Sequence, residues 1–220
     1  MSRLVRRCTS GRSAILAAAV AVLVVAGCGV GFDDEPRAVQ QESTTTTSPS
    51  TPSAGRVSSV LYYVREGALM PVEQELPDRS AFTVLSTLVQ PPDAAATALG
   101  LSTSIPAGTE LLGTRRAEGR VTVDLSSAFD NVVGLSRQQA IGQMVMSATQ
   151  ASGVDTMVFE VDGQTITVSS PLRGDRTEVD ECDFASLLAA PQDALAAGVP
   201  EEAVDQLVER RVELDAGCEQ

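Results

Sequence analysis

"SRQQAIGQMVMSATQASGVDTMVFEVDGQTITVSS", residues 136–170, is the stretch on which the fold turns. Ser136 followed by Gln139 has the form of a capping box. Ala140, Ile141, Met144, Val145 and Ala148 then recur at helical spacing along one face, and Gly153 is the stop. The period changes at once. Residues 154–170 read as a hairpin-like pair of strands with Asp162-Gly163 at the turn. A helix that feeds directly into strands predicts helices packed on a sheet.

Reading outward toward the N-terminus extends the pattern. "GTELLGTRRAEGRVTVDLSSAF" (108–129) predicts a hairpin with arms at about 110–116 and 120–125, Gly119 in the turn, and Val121, Val123 and Leu125 facing inward. "SAFTVLSTLVQPP" (80–92) is helical, with Ser80 as N-cap, Phe82, Leu85, Leu88 and Val89 sharing a face, and Pro91-Pro92 ending it. "DAAATALG" closes a second short helix at Gly100. "VSSVLYYVRE" (57–66) alternates, with Val60, Tyr62 and Val64 on one face. "EGALMPVEQEL" turns at Glu66-Gly67 into a strand whose Pro71 places it at an edge. Residues 57–170 therefore predict an α+β fold. It is a two-layer sandwich of a small mixed or antiparallel sheet with helices on one face.

"LYYVREGALMPVEQEL", "LSTLVQPP", "GLSTSIPAGTELL", "VTVDLSSAF" and "VDTMVFEVDGQ" follow one another in an order that resembles the GerMN domain of spore-germination and sporulation proteins and of many actinobacterial lipoproteins. The resemblance covers about 57–168, and "IPAGT" and "VTVDLSSAF" are its most specific parts. It implies an extracytoplasmic, non-catalytic module related to the ring-building folds of secretion and sporulation assemblies. It brings no catalytic residue to this chain. Many members of the family lie beside a propeller region linked to a sensor kinase, and this chain is too short to hold one.

Beyond the domain, residues 171–220 predict a helical tail. A first helix begins at Asp183 and ends near Gly198. A second begins at Pro200, with Glu201-Glu202 in its first turn and Arg210-Arg211 in its last, matching the helix dipole. Cys182 precedes the first helix and Cys218 follows the second, positions that an antiparallel helical hairpin brings together. The expectation is a Cys182–Cys218 disulfide that clamps the tail without redox chemistry, there being no CxxC pair.

At the other end, a positive n-region precedes an apolar run of 13 residues, Ala14 to Ala26. That is too short to span a bilayer, which takes about 20, and it suits the core of a secretory signal. Val25, Ala26, Gly27 and Cys28 resemble the bacterial lipobox. The implication is cleavage after residue 27, which also removes Cys8, and acylation of Cys28. Two or three acyl chains, at roughly 0.8 kcal/mol per buried methylene, hold a soluble domain at a membrane. Residues 29–56 are polar and rich in Ser, Thr and Pro, and form a tether of about 30 Å. The expected divisions are 1–27 leader, 28–56 lipidated cysteine and tether, 57–170 domain, and 171–220 tail.

The composition excludes several chemistries. The chain has no histidine, which removes His-based triads and His ligands. It also has no lysine, and its net charge is −13. Without residues 1–27, 12 arginines face 29 carboxylates, a balance that repels nucleic acid. Ser126 and Ser127 lack a nucleophile elbow. Asp124 reads as a strand terminator. "GDRTEVDECD" (174–183) lacks calcium-loop spacing, and Asp33-Asp34-Glu35 reads as a solvated run. No catalytic, cofactor or metal residue is expected. The expected function is a lipid-anchored, extracytoplasmic interaction or assembly module at the cell membrane, docking envelope proteins or self-associating. The alternatives are a cell-wall-acting enzyme or a carrier of small molecules or lipid.

Overall fold

The structure is a computed structural model that describes residues 55–196 and 198–218. Cys8, the lipobox with Cys28, and the tether up to residue 54 lie outside the described residues. Strands β1 (Val57–Arg65) and β2 (Ala68–Leu76) form an antiparallel ribbon. Its two-residue turn puts Glu66 at φ 50° and Gly67 at φ 84°, the backbone twist a tight hairpin requires. Helix α1 (Ala81–Leu88) starts where the Ser80 hydroxyl accepts a hydrogen bond from the Thr83 N–H. Helix α2 (Ala94–Ala98) starts where the Asp93 carboxylate accepts from the Ala96 N–H at 2.7 Å.

Strands β3 (Leu111–Ala117) and β4 (Arg120–Leu125) are the expected hairpin, with a register shift between Leu111 and Gly113. Helix α3 (Gly134–Ala148) then crosses over to β5 (Thr156–Val161), which lies parallel to β4 with Val123 beside Phe159. This strand–helix–strand unit makes the sheet mixed. Val121, Val123, Leu125, Met157 and Phe159 are fully buried, and so are Ala140, Met144, Val145 and Ala148 of α3. The α+β reading is therefore correct, and the inward alternation of β4 is the one its sequence predicts.

Three local expectations give way. Helix α3 begins two residues before Ser136, without a side-chain cap, and Gln139 is drawn into the interior instead of closing a capping box. The strand after Asp162-Gly163 is split. Strand β6 (Gln164–Thr165) pairs with β5, whereas β7 (Val168–Ser170) leaves to pair with β8 (Gly174–Arg176). Strand β9 (Glu178–Val179) returns to β5 beside Met157 and Val158. One expected sheet is thus a five-stranded sheet and two separate ribbons. In β1 the run Leu61–Val64 is buried on both faces rather than alternately, because α3 packs on the strand and the tail approaches it from elsewhere.

The first arm of the C-terminal hairpin is much shorter than its sequence suggests. Single 3-10 turns occupy Glu181–Asp183 and Ala185–Leu187, and only Pro191–Ala196 is helical (α4). Pro191 explains the break, since proline suits a first helical position and not an interior one. The second arm is the 18-residue α5 (Glu201–Cys218), which runs past Arg210-Arg211, so these are not in its last turn as expected, and which ends on Cys218 instead of before it. Phe184, Leu188, Val204, Leu207 and Leu214 join the same core as the strands.

Candidate functional site

Helix α3 carries a polar line inside its apolar surroundings: Gln139, Gln143 and Ser147, four residues apart and all buried. Ser147 Oγ accepts from the Tyr62 N–H at 2.8 Å, and Gln143 Nε2 donates to the Tyr62 carbonyl at 3.1 Å. Gln143 Oε1 accepts from the Ser104 N–H at 2.8 Å. Gln139 donates to the Gly67 carbonyl at 2.6 Å and accepts from Ser104 Oγ. These groups satisfy the side of β1 that β2 does not. The next outward residue, Val64, exchanges 2.8 Å bonds with Ser102 in both directions. Pro71 faces outward on β2, where no donor is needed, and the Leu69 carbonyl accepts from the Ala189 N–H. A ribbon with two edges is built into the body by polar side chains and the tail.

The tail is fixed by a second cluster. Arg210 of α5 is ion-paired with Glu181 and, at 2.9 Å, with Glu213. It also lies against the Tyr62 hydroxyl, whose pKa burial pushes up to about 12 against the pull of that guanidinium. Arg211 donates to the Leu188 and Ala189 carbonyls. Cys182 and Cys218 are joined by a disulfide with Cα atoms 5.5 Å apart. Gly142 makes the fit close: a Cβ there would stand 3.2 Å from methyl carbons of Leu69 and Leu187 and 3.3 Å from the Phe184 ring.

Where α5 meets β2 and the end of α2, a groove of about 210 Å³ remains. Buried Met70, Pro71, Leu101 and Val199 line it, and exposed Glu73 and Glu202 stand at its rim. Gln206 Nε2 donates to Glu73 across it at 3.1 Å. Other grooves on the described surface measure about 160–380 Å³. These are at or below the low end of small-molecule sites, about 300–1,000 Å³.

The polar residues singled out in the sequence have structural duties. Asp124 accepts from the Gly163 N–H at 2.9 Å and so locks the Asp162-Gly163 turn. Ser126 accepts from the Glu110 N–H at 2.9 Å, and Ser127 opens a 3-10 turn. In 174–183, Asp180 caps the Glu181–Asp183 turn and pairs with Arg173 at 2.9 Å. The fully buried Asp183 lies 3.8 Å from both Arg173 and Arg176. Among the described residues no group of three His, Cys, Asp or Glu gathers as a metal site. The polar line of α3 escaped sequence reading. Its signal was the four-residue spacing of Gln139, Gln143 and Ser147 within a helix bounded by strands.

The family model described as sporulation and spore germination matches residues 60–167, just under half the chain. These residues are a GerMN domain. Among solved structures, the tandem GerMN domains of the sporulation protein GerM from Bacillus subtilis match at 20% identity and a TM-score of 0.48. That match covers 58% of this chain and 47% of the tandem protein, so the chain spans about half of that relative's length. The first GerMN domain of GerM alone matches at 20% identity and 0.45, covering 56% of this chain and 95% of that one. A candidate lipoprotein from Clostridium perfringens matches at 18% and 0.40, covering 61% and 94%. No curated protein matches the chain.

Proposed function

We propose that this GerMN chain is a membrane-anchored, extracytoplasmic docking module with no reaction of its own. The observation that carries the reading is the groove between β2 and α5. It is small, apolar at its base and rigidly walled by a disulfide-clamped helix, a form suited to seating a partner's side chain. The lipobox at Val25–Cys28 supports the address, since an acylated Cys28 joins the domain to the membrane through a polar tether. The acidic balance supports a surface that avoids nucleic acid and selects partners by complementary charge.

Two measurements test this. Cys28→Ser is expected to abolish incorporation of a fatty-acid analogue and to leave the precursor unprocessed; equal label on both proteins removes the anchor. Ala203→Trp is expected to fill the groove and reduce proximity labelling of envelope neighbours while the fold is kept. A single well-folded Asp→Asn or Glu→Gln variant within 57–170 that abolishes the biological role, with neighbour labelling intact, overturns the non-catalytic reading.

A further inference from the structure

We infer that the outer edge of β3 receives an extended, acidic segment of a partner protein as an added strand. The inference rests on the docking reading above and adds to its β2–α5 groove a second surface, with a stated partner chemistry. Strand β3 is the terminal strand of the five-stranded sheet, paired with β4 on one side and with no strand on the other among the described residues. It has seven residues, long enough for a strand to add by main-chain hydrogen bonds. Beside it, between β3 and the start of α1, runs a groove of about 380 Å³ lined by Arg79, Phe82, Thr114, Arg116, Gln150 and Ala151 among others. Phe82 is 53% exposed and Leu112 50%, so apolar side chains stand near the edge without cover.

Charge selects the occupant. Among the described residues no carboxylate lines this groove, and the neighbouring Asp78 carboxylate is taken up by the Ser80 N–H at 2.8 Å, although the chain as a whole carries −13. Arg115 and Arg120 of the same hairpin are neutralised by Glu160 and Glu178. Arg79 and Arg116 are held instead by neutral carbonyls, those of Ser58 and of Ser152 and Gly153. Their positions are fixed, and neither has an ion-pair partner among the described residues. A second copy of this chain would bring its own two arginines to the shared edge, and like charges across a strand pair oppose pairing. An acidic segment with alternate apolar residues meets both features, carboxylates on the guanidiniums and side chains against Phe82.

The full exported protein, uniformly labelled with nitrogen-15, is titrated with an octapeptide alternating Glu and Val and with its Lys and Val counterpart. The expected result is amide perturbation confined to 111–117 and 79–82 with the acidic peptide. Affinity should fall at least about 10-fold in Arg79→Gln/Arg116→Gln, whose circular dichroism is unchanged, and fall again as salt rises. Equal binding of the lysine peptide, or perturbation elsewhere, overturns the inference. So does an Arg116-dependent dimer in sedimentation, which makes a second copy the occupant. Photo-crosslinkers at Leu112 and Glu202 in cells separate the two levels. Crosslinks at Glu202 with none at Leu112 leave docking intact and remove the β3 edge, and crosslinks at neither remove both.

Discussion

The Tyr62 hydroxyl is the most perturbed group at the scale of single residues. Burial raises its pKa from 10 to about 12, and burial also raises that of Tyr63. A raised folded-state value means the folded protein keeps a proton that the unfolded chain releases. Stability is therefore complete below pH 10 and is lost as pH climbs from about 10 to 12, by roughly 2 kcal/mol from Tyr62. Tyr62→Phe should flatten that decline in urea titrations at about pH 9 and 11.5, and an unchanged slope would show that Tyr62 is accessible. The chain has only two tyrosines, so an ultraviolet titration reads both directly. Gln143 supplies a second test. Its loss strands the Tyr62 carbonyl and the Ser104 N–H in the interior, so Gln143→Ala should destabilise by about 2–4 kcal/mol in the same assay. A value under about 0.5 kcal/mol would mean water replaces the amide. The role of Tyr62 was not legible in the sequence, and that of Gln143 showed there only as the four-residue spacing of Gln139, Gln143 and Ser147. A glutamine beside an apolar stripe looks like a solvent-facing residue until the partners around the helix are known.

Helix α3 shows what separates a legible element from a legible arrangement. Its apolar stripe, the β4 alternation, the Ser80 cap and the Asp162-Gly163 turn are local signals, and each is in place. The division of the sheet is not local. Strand β7 leaves β5 because its partner is β8, four to eight residues further on, and no period in 164–170 announces that choice. The shortening of the first tail helix to Pro191–Ala196 was legible in principle, since Pro191 sits where a helix from 183 to 198 would need a donor. Gly142 marks a close approach of α3 to the tail residues Phe184 and Leu187. Gly142→Val should overpack the seam and destabilise by about 1–3 kcal/mol, with amide exchange rising first in 181–190. Uniform acceleration across 57–170 would place the damage in the sheet instead.

For the molecule as a whole, the disulfide and the shared core decide how it comes apart. Closing a loop of 36 residues contributes about 3–4 kcal/mol in the chain-entropy model. Non-reduced mass spectrometry of the native protein should find Cys182 linked to Cys218, and two free thiols would refute the clamp. Reduction should loosen α5 before the five-stranded sheet. It should also weaken the ribbon, because Leu207 and Arg210 cover part of β1 and β2. Simultaneous loss of every element would mean the tail is indispensable to the core. The entry of the chain into the fold has a mechanical consequence. A pull applied at Gly55 arrives at Val57, at the open end of the β1–β2 ribbon, where Val57 faces Leu76. Load there acts on one residue pair at a time, like a zip, and just past the Val57–Leu76 pair it meets the hold of Arg79 on the Ser58 carbonyl at 2.8 Å. The ribbon would peel under low force down to Tyr62, where the bonds from α3 meet it. Arg79 is then the mechanical fuse of the domain, the contact that parts before the interior feels tension.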